Sequence, residues 1–196
     1  MNTLLAYATG SPSRAVLAVL VLLSFGIYSR LNGQEQQPAV LMTRLDDVIP
    51  FWPAFSLPYL LYFPFLFFIV VYGIMETPYF AQIAATTLAV QLIAAVVYGL
   101  RQTYVPRPAV TGRGIFSRLT ALVYRVDRPY CTFPSLHVAY SVLCGYWAAV
   151  MFPQLLPFFV LFAASIVLST MFIKQHALAD VLAGASVAVL CLAIVG

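Results

Sequence analysis

The chain has 196 residues, of which 63% are apolar and only 8% charged, whereas an ordinary soluble domain carries about 25% charged residues. That composition excludes water as its main solvent. The formal charge of +4 would fit nucleic acid in a soluble protein, but basic residues scattered through membrane loops meet phospholipid headgroups, so the expected partner is the lipid bilayer and no nucleic acid.

Six apolar stretches stand out, residues 15–31, 57–75, 79–100, 136–152, 155–173 and 177–195. At about 1.5 Å per residue each crosses most of a hydrocarbon core of about 30 Å, the shortest only marginally. Barrel strands alternate lipid-facing and lumen-facing residues, and these stretches are apolar on all sides. The expected fold is therefore all-α, a polytopic membrane protein with six transmembrane helices and short interfacial helices, forming one integral-membrane domain over residues 1–196.

The first stretch ends in Ser24-Phe25-Gly26-Ile27-Tyr28 and runs into Arg30 without a small-residue cleavage site, so it reads as a span and not a signal peptide. After the polar run Asn32-Gly33-Gln34-Glu35-Gln36-Gln37-Pro38, residues Leu41, Leu45, Val48 and Trp52 recur at helical spacing and predict an interfacial segment anchored by Trp52. Pro58 and Pro64 fall in the second span, where Pro64 is expected to kink the helix. The longest polar connection runs from Arg101 to Thr132, and a loop of that length is usually functional or partly structured. Within it Ile115, Leu119, Leu122 and Val126 share one helical face, with Arg118 and Arg125 on another. This predicts a short basic amphipathic helix, lying on the membrane surface or packed against the bundle. Cys131, Cys144 and Cys191 are odd in number and two lie inside spans, so no disulfide framework or metal-ligand spacing is present.

An ionisable side chain at the edge of a span is costly, which makes it a candidate for function. The two histidines, His137 and His176, stand near the starts of spans four and six. Those spans run in the same direction and begin on the same side, where the loop after span three also ends. Arg101, Arg107, Ser135, His137, Lys174, His176 and Asp180 can therefore converge. The four-residue spacing of His176 and Asp180 stacks them on one helical face, either as a structural pair or as a nucleophilic imidazole held by a carboxylate with its other nitrogen free. His137, in the turn Pro134-Ser135-Leu136-His137, is either structural or a general acid beside an anion held at a helix start. Arg107 and Lys174 either snorkel to headgroups or supply the positive charge that phosphoryl transfer requires. No acidic cluster suited to Mg²⁺ appears, so the expected chemistry is metal-independent and without a cofactor.

These residues resemble the type 2 phosphatidic acid phosphatase superfamily, which is vanadium haloperoxidase-like and has the blocks Lys-x6-Arg-Pro, Pro-Ser-Gly-His and Ser-Arg-x5-His-x3-Asp. The matches are Arg107-Pro108, Pro134-Ser135-Leu136-His137 and Ser169-Thr170-x5-His176-x3-Asp180. The resemblance implies that His176 forms a phosphohistidine, Asp180 orients it, His137 is the general acid, and Arg107 and Ser135 bind phosphate. Three positions depart from the blocks. Leu100 stands where the first lysine would, with Arg101 beside it; Thr170 replaces an arginine whose charge Lys174 would supply; and Leu136 replaces the glycine. Pro-Ser-Leu-His with Lys-Gln-His is similar to the inositol phosphorylceramide synthase branch, which transfers a headgroup to an alcohol.

The resulting expectation is a lipid phosphatase or phosphotransferase acting on a lipid phosphate or pyrophosphate such as phosphatidate, a phosphatidylglycerol phosphate or a polyprenyl pyrophosphate. The alternatives are an inositolphosphotransferase-type headgroup transferase with an alcohol acceptor, and a lipid transporter or inactive relative. Of the ten basic residues all but Arg14 fall on the side of the histidines, so positive-inside bias leans the site to the cytoplasmic face.

Overall fold

The structure is a computed structural model that describes residues 12–32 and 37–195, so most of the polar run after the first span, residues 33–36, lies outside the described residues. Among the described residues the α-helices are α1 (Pro12–Leu31), α2 (Arg44–Val48), α3 (Ser56–Glu76), α4 (Phe80–Leu100), α5 (Ile115–Val126), α6 (Leu136–Met151), α7 (Leu156–Phe172) and α8 (Leu178–Val195). Two 3₁₀ turns, Pro53–Phe55 and Pro153–Leu155, lead into α3 and α7. Extended pairing among these residues is confined to the isolated bridges Ala39–Thr103 and Tyr104–Tyr130. The all-α reading holds, because in hydrocarbon a helix satisfies its backbone N–H and C=O groups within its own segment.

Five helical segments are long and apolar enough to cross a membrane: α1, α3 with its 3₁₀ turn, α4, α7 with its turn, and α8. The chain is a multi-pass integral membrane protein. The sixth stretch, α6, has 16 residues, about 24 Å of helix where a span needs about 20 residues. It is also the most enclosed, packing on α3, α4, α7 and α8 and burying Val138, Ala139, Tyr140, Ser141, Leu143, Cys144, Trp147 and Ala148. A helix surrounded by protein is not matched to lipid along its length, which is how its polar Ser141 and its short run are accommodated. Pro64 does not end α3, which runs through it.

Between α1 and α3 the helical spacing predicted for residues 41–52 is realised only over Arg44–Val48. Pro50 forces Ile49 into extended backbone (φ −75°, ψ 120°), since a residue preceding proline is excluded from the helical region. A capping box starts this short helix: Thr43 Oγ1 accepts from Leu45 N at 3.3 Å and Asp46 Oδ2 accepts from Thr43 N at 2.7 Å. Leu45, Val48 and Trp52 stay exposed, as an interfacial segment requires.

The amphipathic helix α5 packs against the bundle along one face. Thr120 and Val123 are buried, and Thr120 Oγ1 donates to Pro53 O at 3.3 Å, while Ile115, Leu122 and Val126 remain exposed. The apolar stripe is thus left exposed while the adjacent face docks on the bundle. At the opposite end of the molecule Arg14 is buried against the C-terminus of α3, where it donates to Met75 O at 2.9 Å and lies over the Phe80 ring at 4.2 Å. A cation there complements the helix dipole.

Candidate active site

Ser135 ends the turn before α6 and acts as its N-cap, its Oγ accepting from Val138 N at 3.3 Å. His137 therefore sits in the first turn of α6. Two further contacts pin this turn: Tyr98 of α4 donates to Pro134 O at 2.6 Å, and Ser135 N donates to Asp180 O at 3.0 Å. The second of these ties α6 directly to α8. The backbones approach so closely that a Cβ at Gly184 would lie 2.4 Å from Ser135 O.

The third block is built from a helix end and a helix start. Helix α7 closes in a Schellman motif: Lys174 N donates to Met171 O at 3.0 Å, Gln175 N to Thr170 O at 2.9 Å, and Lys174 itself is left-handed at φ 54°. Thr170, where the related motif has arginine, is fully buried and spends its carbonyl on this cap. His176 lies before α8 begins at Leu178, so its proximity to Asp180 does not come from helical stacking as the spacing predicts. Asp180 instead is the third residue of α8 and reaches back, accepting from Ala177 N at 2.8 Å. That places Oδ2 3.5 Å from His176 Nδ1.

His176 Nδ1 is also 3.1 Å from Thr132 O. A carbonyl only accepts, so Nδ1 carries the proton and Nε2 is left with its lone pair. The Asp180 carboxylate stands ready to stabilise positive charge on that ring. His137 is 6.0 Å away, centroid to centroid. Its ring stacks on Tyr59 at 4.3 Å and lies 4.2 Å from Tyr62, and its Nδ1 is 3.5 Å from the Tyr59 hydroxyl. Tyr59 gives its proton to Asp127 Oδ2 at 2.6 Å, so its oxygen faces His137 as an acceptor. His137 Nε2 is buried without a protein partner.

Both histidines line one cavity of about 630 Å³, within the size range of small-molecule sites. It runs between α1 and α3 towards α4, and Asp127, Arg128 and Asn32 stand with the histidines among its polar lining.

The other candidate residues divide. Ser135 touches the histidine turn but is fully buried and occupied as a cap. Arg107 is held behind Asp127, donating to Asp127 O at 2.7 Å and Tyr124 O at 3.1 Å and lying over the Tyr124 ring, with Nε unpartnered. Burial pulls its pKa below the ordinary value and the nearby Asp127 carboxylate opposes that. Lys174 Nζ is committed to the carbonyls of Asp46 and Ile49. Arg101 is exposed at the end of α4 and, like Lys174, Arg107 and Ser135, is not among the cavity-lining residues.

Three residues escaped the sequence reading. Asp127 accepts from both Tyr28, at 2.7 Å, and Tyr59, and nothing in Arg125-Val-Asp127-Arg128 marks it apart from an acid in a basic helix end. Arg128 lines the cavity where Arg101 and Lys174 do not. Asp46 joins the interfacial segment to the third block by accepting from Leu178 N at 2.6 Å.

A family model described as the PAP2 superfamily matches residues 38–194. No curated protein and no solved structure matches the chain.

Proposed function

The chain belongs to the PAP2 superfamily, and on that premise we propose that it is a metal-independent lipid phosphatase or phosphotransferase working through a phosphohistidine at His176. Membership supports a phosphatase-type lipid function in general. The observation that carries the finer reading is the pair of histidines on one cavity wall, with His176 Nδ1 held by Thr132 O and Asp180 so that Nε2 is the free nitrogen.

In the first step the Nε2 lone pair of His176 forms an N–P bond as the P–O bond to the lipid alcohol breaks. The departing oxygen takes the proton of protonated His137 at Nε2. In the second step an oxygen of water or of an alcohol forms a new P–O bond, the N–P bond breaks, and the proton returns to His137. Asp180 stabilises the positive ring between the steps. Arg128, which lines the cavity, is the cation we assign to the nonbridging oxygens; Arg107 acts from behind Asp127, and Ser135 acts through the backbone turn it caps. The substrate is a lipid phosphate or pyrophosphate: phosphatidate, a phosphatidylglycerol phosphate or a polyprenyl pyrophosphate. Leu136, which lines the cavity in place of glycine, favours transfer to an alcohol as the second outcome, because an apolar wall beside the phosphoryl group disfavours water.

The test is phosphate release by the purified protein in detergent with EDTA, over a panel of lipid phosphates, beside His176→Ala. Wild-type release that the variant lacks is the expected result. Release that survives His176→Ala, or that requires a divalent cation, refutes the phosphohistidine or the metal-independent part respectively. Turnover seen only with added polyols or inositol assigns the transferase.

A further inference from the structure

Beneath the histidines the cavity walls from α1 and α3 are Leu22, Phe25, Phe63, Leu66, Phe67 and Val70, side chains that suit a hydrocarbon chain. Facing them is an amide. Gln91 of α4 lines the same cavity and is 2% exposed. Its Oε1 accepts from Tyr140 Oη at 2.8 Å, and its Nε2 has no protein partner. A buried donor left unpaired is costly, and an acceptor arriving in the cavity recovers that cost.

The depth of Gln91 narrows what the acceptor is. It precedes Tyr98 by seven residues on α4, about 10 Å of helix, and Tyr98 bonds to Pro134 O at the histidine turn. Gln91 therefore lies on the hydrocarbon side of the histidines. On that side of its phosphate a phospholipid carries the ester or amide carbonyls that join its chains to the headgroup, whereas a polyprenyl phosphate carries no acceptor at all.

We propose that the cavity takes a carbonyl-linked chain of a phosphorylated lipid, the linkage carbonyl accepting from Gln91 Nε2 and the chain running between α1 and α3. This rests on the reading of His137 and His176 as the phosphate end, and it selects acyl-linked lipids over polyprenyl ones.

The test reads binding, so that it does not depend on turnover. The full-length His176→Ala protein in detergent is titrated with dioleoyl phosphatidate, its diether analogue, a ceramide phosphate and a polyprenyl phosphate, and the series is repeated with Gln91→Met added. The expected result is phosphatidate or ceramide phosphate binding about tenfold more tightly than the diether and polyprenyl lipids, the scale of one hydrogen bond, with the contrast lost in Gln91→Met. Contrast in the first alone assigns an ester, and in the second alone an amide. Equal affinity for all four lipids, no saturable binding, or a contrast that survives Gln91→Met overturns the proposal. Methionine is close to glutamine in volume and removes the unpaired donor, and the comparison of ester with ether on the Gln91 protein already decides if the variant fails to fold. Ester-selective binding by a chain whose wild type neither releases phosphate nor transfers to an added alcohol would sink the catalytic reading and leave this one standing.

Discussion

At Asp127 one carboxylate receives two tyrosine hydroxyls, Tyr28 at 2.7 Å and Tyr59 at 2.6 Å, and the second of these is the ring on which His137 stacks. On the proposed mechanism Asp127 is a positioning residue acting through Tyr59. Asp127→Asn and Tyr59→Phe are each expected to lower kcat by about 10²-fold, the lower end of what a positioned general acid contributes, with KM little changed. The double variant should lose no more than either single one, because both break the same chain; additive losses would show that they act separately. Asp46 is a buried carboxylate with structural work. Burial opposes its charge, but hydrogen bonds from Thr43 N, Leu178 N and the Thr43 hydroxyl, with the Lys174 charge, hold its pKa below the ordinary 3.8. A carboxyl depressed in the folded state contributes stability that is complete above its unfolded pKa and is lost as pH falls through the folded one. Thermal stability of the wild type should therefore fall as pH drops below about 4, and Asp46→Asn should lower stability at pH 7 while flattening that acid-side fall. Equal slopes in the two proteins would show that Asp46 is not the group responsible.

Helix α8 meets the histidine turn across Gly184, and the element-level geometry hangs on that residue. An alanine there would gain helix propensity of about 1 kcal/mol, yet its Cβ would fall 2.4 Å from Ser135 O, and backbone on one side cannot yield as a flexible side chain can. Gly184→Ala is expected to cut activity by at least about tenfold while the protein stays folded, since a displacement of about 1 Å at a catalytic pair costs on the order of 10²-fold. Unchanged kcat in a folded Gly184→Ala protein would show that α8 can shift without moving His176. The elements also show where sequence spacing misleads. The i, i+4 relation of His176 and Asp180 is visible in the sequence and so is the proximity it implies, but the chain meets that relation through a helix start and a reach-back carboxylate rather than a helical face. Lys174 is a charge at a plausible position whose left-handed backbone and carbonyl bonds assign it to ending α7.

Over the whole molecule, basic residues gather at the end that holds the histidines, and the lone one at the other end, Arg14, is used to cap α3. On positive-inside grounds the site end is expected to face the cytoplasm. A cysteine placed at Ser117 in a protein whose Cys131, Cys144 and Cys191 are replaced should resist an impermeant thiol reagent in intact cells; labelling there would put the site on the outer face. By itself the sequence determined the membrane as solvent, the helical class, and the order and polarity of the blocks that carry the histidines, because hydrocarbon thickness, apolar run length and motif spacing are all properties of the chain read in one dimension. Only the tertiary structure decided that α6 is short and enclosed, that Asp127 and Tyr59 stand behind His137, that Arg101, Arg107 and Lys174 lie off the cavity, and that Gln91 lines it with an unpartnered amide nitrogen. Those outcomes depend on which helix faces meet and on where each polar atom finds its partner, and neither is written in the spacing of residues along a single span.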